Sequence, residues 1–192
     1  MKIWGALDDG DYSSIIRLLV LTLCRRNEIG HLAFDEVDFD VGVIRLPGER
    51  TKTGEARDVP MSAPVRRILQ ARHQQWDGRR TLVFGTGEGG FQGWARAKQN
   101  LDARAGVTGW THHDLRRFGS TTMNNEGIAT PFVIEAVLGH AVGNRVARTY
   151  NLATYSEQVR AAMELWADRV MQLVSGERRP TKVLALRRRK GA

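Results

Sequence analysis

The polar residues of this sequence that could do chemistry lie in five places, the first at Arg25 and Glu28. These two residues are three positions apart after an apolar run, so a helix would place them on one face. A guanidinium held by a carboxylate can bind a phosphate through two parallel N–H donors. The ordinary alternative is an intrahelical ion pair at the end of a core helix.

A lysine and a histidine–arginine pair form the next two places. Lys52 lies at a predicted hairpin tip, where it is either a solvated turn residue or a proton donor carried into a groove. His113 and Arg116 are spaced to share a helical face near a predicted helix start, where backbone amides favour an anion. Their alternative role is that of polar surface groups on a capped helix.

A histidine and a tyrosine complete the set. His140 follows Leu138 and Gly139 at a predicted helix end, and Tyr150 comes ten residues later. Each has an ordinary role: the histidine can interact with the helix dipole, and the tyrosine can pack with its hydroxyl hydrogen-bonded. As a nucleophile, a phenol with a pKa near 10 needs neighbouring cations to stabilise its phenolate.

In this order, the five sets resemble the signature of the tyrosine recombinase family, the phage integrases. The resemblance extends along residues 3–174 and is strongest to integrases of temperate phages and genomic islands. The segments that carry it are LCRRNEIGHLAFDEVDFD, RTKTGEARDVPMS, WTHHDLRRFGSTT, IEAVLGH and YNLATYSEQVRAAMELWADRV. The resemblance implies a catalytic domain that acts on double-stranded DNA.

The resemblance also implies how the reaction centre is built. Tyr150 would attack a DNA phosphodiester and form a 3′-phosphotyrosyl link with a free 5′-hydroxyl. Arg25, supported by Glu28, and Arg116 would bind the non-bridging oxygens, where charge develops in the transition state. These two arginines and Lys52 are therefore the expected DNA contacts.

The remaining roles concern protons. Lys52 would protonate the leaving 5′-oxygen, His113 would assist deprotonation of the tyrosine, and His140 would hydrogen-bond the phosphate. The covalent link conserves the energy of the phosphodiester, so we expect no cofactor, no metal and no ATP. The glycine-rich run 85–93 does not match a Walker-type phosphate loop and is predicted to be a flexible loop.

The elements that must position these residues are predicted to be mostly helical. A buried helix is expected over residues 13–31, then a small, three-stranded antiparallel sheet that includes residues 41–46 and a returning strand at 57–60. Helices follow, with starts predicted near Ser62, Trp94, Thr111, Thr130 and Thr154. The expected fold is α+β with a helical majority, the catalytic fold of the tyrosine recombinases.

Composition limits the class of protein. The chain has 192 residues and a net charge of +8, of which +6 lies in residues 175–192, a basic tail that we expect to be flexible. A single cysteine, Cys24, excludes an internal disulfide, and neither a signal peptide nor a membrane span is evident. We expect a cytoplasmic protein whose catalytic domain is residues 1–174. The family's N-terminal DNA-binding domain is expected to be absent, since the catalytic pattern starts almost at Met1.

Several alternatives stay open at this point. The gap between His140 and Tyr150 is one residue longer than the familiar family spacing, so Tyr155 is retained as the second candidate nucleophile. The same residue types would serve a type IB topoisomerase, a non-catalytic DNA-binding remnant would keep the fold, and the basic tail alone could bind nucleic acid. The last helix has an apolar face that could pack on its own domain or on a neighbour. We expect a monomer in free solution, and a tetramer on DNA is left open. The apolar face of the last helix consists of Val159, Met163, Trp166 and Val170.

Overall fold

The computed structural model of the protein describes residues 2–87, 89–140 and 156–176. The α-helices in these residues are α1 (Lys2–Gly5), α2 (Asp11–Thr22), α3 (Arg26–Gly30), α4 (Ala63–Gln74), α5 (Trp94–Ala105), α6 (His112–Asn125), α7 (Pro131–Val137) and α8 (Ser156–Ser175). The strands are β1 (Val37–Asp38), β2 (Val43–Leu46) and β3 (Arg57–Pro60). The prediction of a mostly helical α+β fold is confirmed.

The sheet is three-stranded and antiparallel, as predicted, in the order β1-β2-β3. Val43 pairs with Pro60 and Leu46 with Arg57, so the hairpin between β2 and β3 spans the ten residues at 47–56. Val41, which the sequence placed in a strand, lies instead in the turn before β2, and its side chain is 52% exposed. The hairpin matters because Lys52 lies in it.

The predicted long helix over residues 13–31 is wrong, because the chain breaks between α2 and α3. Leu23 has φ 54°, a left-handed conformation that costs a residue with a Cβ about 1–2 kcal/mol. Tertiary contacts stabilise the break: the Leu23 carbonyl accepts a hydrogen bond from Arg116. A Cβ at Gly119 would lie 2.3 Å from a methyl carbon of Leu23, so only glycine leaves room there. Arg25 therefore sits at a helix start.

The core is formed around α2, which is buried on almost every side. The last helix, α8, packs its predicted apolar face against α2 and α7 of the same domain. Trp166 is fully buried and donates its indole N–H to the carbonyl of Val20 at 2.8 Å. The apolar face of α8 is thus covered within the chain.

Local contacts define the start of α6 and the end of α4. Thr111 is the N-cap of α6, and its hydroxyl accepts a hydrogen bond from the Asp114 amide, as the spacing predicted. Helix α4 ends at Gln74, and Trp76 beyond it stacks on Phe34 with 4.7 Å between ring centroids. Among the described residues, no helix combines the length and apolarity that a membrane crossing requires.

Candidate active site

One open cleft of about 630 Å³ gathers most of the residues that the sequence singled out. It lies between the start of α3, the hairpin before β3 and the first turn of α6. The predicted site residues that line it are Arg25, Glu28, Lys52, His113 and Arg116. These residues come from three separate stretches of the chain, and the fold brings them to one surface.

Arg25 is the N-cap residue of α3, in an extended conformation that directs its side chain toward the cleft. Its backbone N–H donates to Glu28 Oε2 at 2.7 Å and its Nη1 to Glu28 Oε1 at 2.9 Å. The pair is therefore not the intrahelical ion pair of the sequence prediction, because only Glu28 lies inside the helix. Arg25 retains further N–H donors and is 22% exposed, which suits contact with an anion.

Glu28 is the carboxylate at the centre of this cluster and is only 2% exposed. Burial alone would raise the pKa of Glu28. The charge of Arg57, Nη2 of which lies 2.9 Å from Oε2, and the hydrogen bonds from Arg25 outweigh burial and hold this pKa below its ordinary value. Beside them, burial raises the pKa of the Cys24 thiol, which therefore stays neutral near pH 7.

Arg116 is the second predicted phosphate ligand, and it is buried at 4% exposure. Its guanidinium donates to the carbonyls of Leu23 and Leu138, the residues that follow α2 and α7. Burial, together with the charge of Arg25, lowers the pKa of Arg116 to about 10, so the side chain remains charged at neutral pH. Arg116 thus holds the two chain segments that lead to Arg25 and His140.

His140 adjoins this arginine from the segment after α7. Its Nε2 lies 3.3 Å from Arg116 Nη2, and its Nδ1 lies 2.7 Å from Glu135 Oε2. Because a guanidinium can only donate, Nε2 is the acceptor, and Nδ1 carries the proton that Glu135 accepts. The structure therefore brings Arg25, Arg116 and His140 to one side of the molecule.

The hairpin that carries Lys52 is closed and anchored, while the lysine itself is exposed. The Thr51 hydroxyl donates to the carbonyl of Glu55 at 2.9 Å, within the hairpin. Arg50 forms an ion pair with Glu36 and donates to the Glu28 carbonyl at 2.9 Å. The hairpin is thus tied to α3, next to Arg25.

Two adjacent histidines at the start of α6 face different surroundings. His112 turns toward the interior, where its Nε2 lies 2.9 Å from the Tyr12 hydroxyl. Burial, then the charges of Arg26 and Lys98, lower the pKa of His112 to about 4, so it is neutral and accepts this hydrogen bond. His113 is exposed toward the cleft, on the same side of α6 as Arg116.

The electrostatic balance of the cluster favours an anion. Among the described residues, the guanidinium groups of Arg25, Arg57 and Arg116 lie around the carboxylate of Glu28, so three positive charges face one negative charge there. Two of these arginines are partly or largely withdrawn from water, where an unbalanced charge is costly. A bound phosphodiester would supply the missing negative charge.

Three residues of the site were not predicted from the sequence: Arg50, Arg57 and Glu135. Arg57 was assigned only to a strand, although it shares a strand face with the buried Val59 and so had to find a polar partner. That alternation was the available signal.

Tyr150 and Tyr155, the two candidate nucleophiles, lie outside the described residues. Within the described ranges, no cluster of three or more potential metal ligands occurs.

Comparison with known proteins agrees with this geometry: a profile of the phage integrase family matches residues 6–157, and the chain belongs to that family. It is 35% identical over 161 residues to the prophage integrase IntA of Escherichia coli K12, covering 82% of this chain and 38% of IntA. Prophage integrase IntZ of the same strain is 29% identical over 172 residues, covering 86% and 41%.

A third relative is the shufflon-specific DNA recombinase of Escherichia coli, 31% identical over 142 residues, which cover 73% of this chain and 35% of that protein. The chain thus spans only about two fifths of the length of the two prophage integrases. No solved structure matches the chain.

Proposed function

We propose that this chain cleaves and rejoins DNA strands as the catalytic domain of a tyrosine-type site-specific recombinase. The supporting observation is that Arg25 and Arg116 line one cleft and that His140 adjoins Arg116, with Nε2 3.3 Å from Nη2. In the proposed reaction, the hydroxyl oxygen of Tyr150 attacks the phosphorus. The bond from phosphorus to the 5′-oxygen breaks, and a 3′-phosphotyrosyl link forms.

The two arginines bind the non-bridging oxygens of the attacked phosphate. Arg25 is fixed by Glu28, and Arg116 is fixed by two backbone carbonyls, so neither needs to reorganise when charge develops in the transition state. His140 lies within hydrogen-bond reach of Arg116 and so at the same phosphate. The bond from Nδ1 to Glu135 orients the ring, and we assign His140 a hydrogen bond to that phosphate in the DNA complex.

The proton transfers are assigned to the two exposed groups at the cleft. Lys52, on the anchored hairpin, gives a proton to the leaving 5′-oxygen, and His113 takes the proton of the tyrosine hydroxyl. Rejoining is the reverse: the 5′-hydroxyl attacks the phosphotyrosyl link and releases the tyrosine. The chemical balance requires no ATP and no oxidant, because one phosphodiester bond is exchanged for another.

A covalent trapping experiment tests this function without knowledge of the target site. The probe is a pool of nicked duplexes with random central sequence, in which the short fragment diffuses away after cleavage and prevents rejoining. We expect the wild-type chain and Tyr155→Phe to form adducts that survive denaturation, and Tyr150→Phe to form none. Retention of DNA without any adduct would instead identify a binding remnant, and loss only in Tyr155→Phe would reassign the nucleophile.

The role of Lys52 has its own chemical test. Lys52→Ala should slow adduct formation about 10²–10⁴-fold on ordinary DNA. A duplex with sulfur in place of the 5′-bridging oxygen should restore the rate, since a thiolate leaves without being protonated. An equal loss on both substrates would show that Lys52 is no proton donor. Lys2→Ala, a lysine that does not line this cleft, is the matched control.

The partner is proposed to be double-stranded DNA in the cytoplasm, with a monomer in free solution and a tetramer on DNA. The monomer is supported by α8, whose apolar face is buried within its own domain. Sedimentation with and without DNA tests both states. Relaxation of plasmids that lack a preferred site would favour the topoisomerase alternative. Loss of DNA binding after deletion of residues 175–192 would favour the tail alternative.

A further inference from the structure

Arg57 is a buried charged residue that the proposed mechanism does not use, although it touches three parts of the site. Its side chain, on β3, is 14% exposed. Nη2 donates to Glu28 Oε2 at 2.9 Å and to Cys24 Sγ at 3.4 Å, and Nη1 donates to the carbonyl of Val137 at 2.9 Å. A single guanidinium therefore joins the start of α3 to the end of α7.

Two of the contacts of Arg57 lead to residues that we place at the phosphate. On one side, Glu28 holds Arg25 through its backbone N–H and its Nη1. On the other side, the Val137 carbonyl belongs to the last turn of α7, three residues before His140. Carbonyls at a helix end lack partners within the helix and attract cations, which is why a buried arginine is stable there.

The path of the Arg57 side chain is fixed by packing under Gly139. This glycine has φ 58°, and a Cβ there would lie 2.7 Å from Arg57 Cδ and 2.8 Å from Nε. Arg57 Nε is buried and has no hydrogen-bond partner among the described residues. Nε thus stays unpaired, while Nη1 reaches Val137 and Nη2 reaches Glu28. The single ammonium group of a lysine could not contact both at once.

We propose that Arg57 is a positioning residue for strand cleavage, which couples the Arg25–Glu28 pair to the segment that carries His140. The inference rests on the proposed cleavage function. Arg57 does not touch the phosphate. It sets the distance between groups that bind the phosphate from two sides, where a displacement of about 1 Å can cost about 100-fold in rate.

The coupling has a consequence for pH dependence. The groups that face the Glu28 carboxylate are Arg25 at the start of α3, Arg57 on β3, Arg116 on α6 and the Cys24 thiol. Burial raises the pKa of Glu28 and the charge of Arg57 lowers it, so removal of Arg57 lets this pKa rise. As the pH falls, Glu28 then becomes protonated sooner and releases Arg25, and the low-pH limb of the cleavage profile moves to higher pH.

Single-turnover cleavage of a suicide duplex recovered from the random pool tests the proposal. At saturating protein, Arg57→Met should lower the rate about 100-fold, move the low-pH limb upward, and leave the DNA dissociation constant within about threefold. Arg57→Lys should restore little, because lysine cannot join both segments. Gly139→Ala, which displaces the same side chain, should resemble Arg57→Met.

A matched control separates positioning from a general loss of stability. Arg169 is also largely buried at 16% exposure and binds Glu126 through two nitrogens, remote from the cleft. Arg169→Met should lower stability while the pH profile of cleavage keeps its position. If Arg57→Met lowers the cleavage rate but leaves the low-pH limb at its wild-type pH, as expected for the control, Arg57 has only a structural role. That result would overturn the proposal.

A measurement independent of activity distinguishes failure of this inference from failure of the proposed function. NMR of Arg57→Met should detect two changes. The titration midpoint of the Glu28 carboxyl carbon should rise, and the ring resonances of His140 should shift. An altered Glu28 with His140 unchanged would refute the coupling. If the wild-type chain forms no adduct, the proposed function fails, and the NMR result still decides whether Arg57 links the two segments.

Discussion

Replacement of Glu28 by glutamine removes the negative charge on which the cluster depends while nearly preserving its shape. The wild-type carboxylate accepts from the Arg25 amide at 2.7 Å, from Arg25 Nη1 at 2.9 Å and from Arg57 Nη2 at 2.9 Å. Glutamine offers one carbonyl oxygen and one NH₂ group. At least one of the three donors therefore loses its acceptor, and a guanidinium must face an amide donor.

The expected loss of folding stability is about 3 kcal/mol at pH 7. Hydrogen bonds to a charged group contribute about 1.5–3 kcal/mol each, and breaking a buried ion pair costs about 3–5 kcal/mol. The lower end applies because Arg25, at 22% exposure, regains water when its partner is lost. For a domain of this size, the midpoint of thermal unfolding should fall by about 6–12 °C.

The stability difference must also depend on pH with a definite sign. The pKa of Glu28 is lowered in the folded protein. Its contribution is therefore complete above the unfolded-state pKa of about 4.3 and is lost as the pH falls through the folded-state value. Urea unfolding of the wild type and of Glu28→Gln should differ by a constant amount above about pH 5.5 and converge at lower pH.

Glu164→Gln, an exposed carboxylate on α8, is the control and should change stability by less than about 0.5 kcal/mol. DNA binding by Glu28→Gln should be retained or strengthened, since the cleft becomes more positive, while cleavage falls because Arg25 is no longer held. A loss under 1 kcal/mol, or a difference that does not shrink with acid, would refute this description of the cluster.

Four further substitutions test the packing around the site and the role of His113. Gly119→Ala should destabilise the domain by about 1–3 kcal/mol, measured by thermal unfolding, because its Cβ would enter the side chain at the α2–α3 break; Gly5→Ala, with open space, should not. Tyr12→Phe removes the hydroxyl that bonds His112, so it should lower stability by about 1 kcal/mol and leave cleavage intact. His113→Ala should keep its stability and lose cleavage. Cleavage lost in Tyr12→Phe and kept in His113→Ala would instead assign the catalytic role to His112. Trp166→Phe should cost about 2–3 kcal/mol in urea unfolding, since a buried carbonyl loses its donor, and an unchanged midpoint would contradict that contact.

Sequence patterns predicted the local features of this domain well. Strand β3 was placed at its observed residues, and α5 begins at Trp94, as predicted. The cap of α6 at Thr111 was also predicted. These features depend on residues close together in the chain, so the local sequence contains the information that specifies them.

Features that depend on distant contacts were missed. The break at Leu23 is stabilised by Arg116 and by the space above Gly119, both far away in sequence. An apolar run with no glycine or proline carried no local sign of it. Arg57 was likewise read only as a strand residue, because its partners at Glu28 and Val137 become neighbours only in the folded chain. The types of residue in the site were predictable, but their supports were not.

The most direct test of the proposed catalytic reaction is tandem mass spectrometry of the trapped adduct. Trypsin should release residues 149–160 as one peptide that contains both candidate nucleophiles, Tyr150 and Tyr155. We expect the fragment spectrum to place the nucleotide on Tyr150 through a phosphodiester to its phenol oxygen. A nucleotide on Tyr155 or on another residue would contradict the assignment, and a wild-type protein that binds DNA without any modified peptide would contradict the reaction itself.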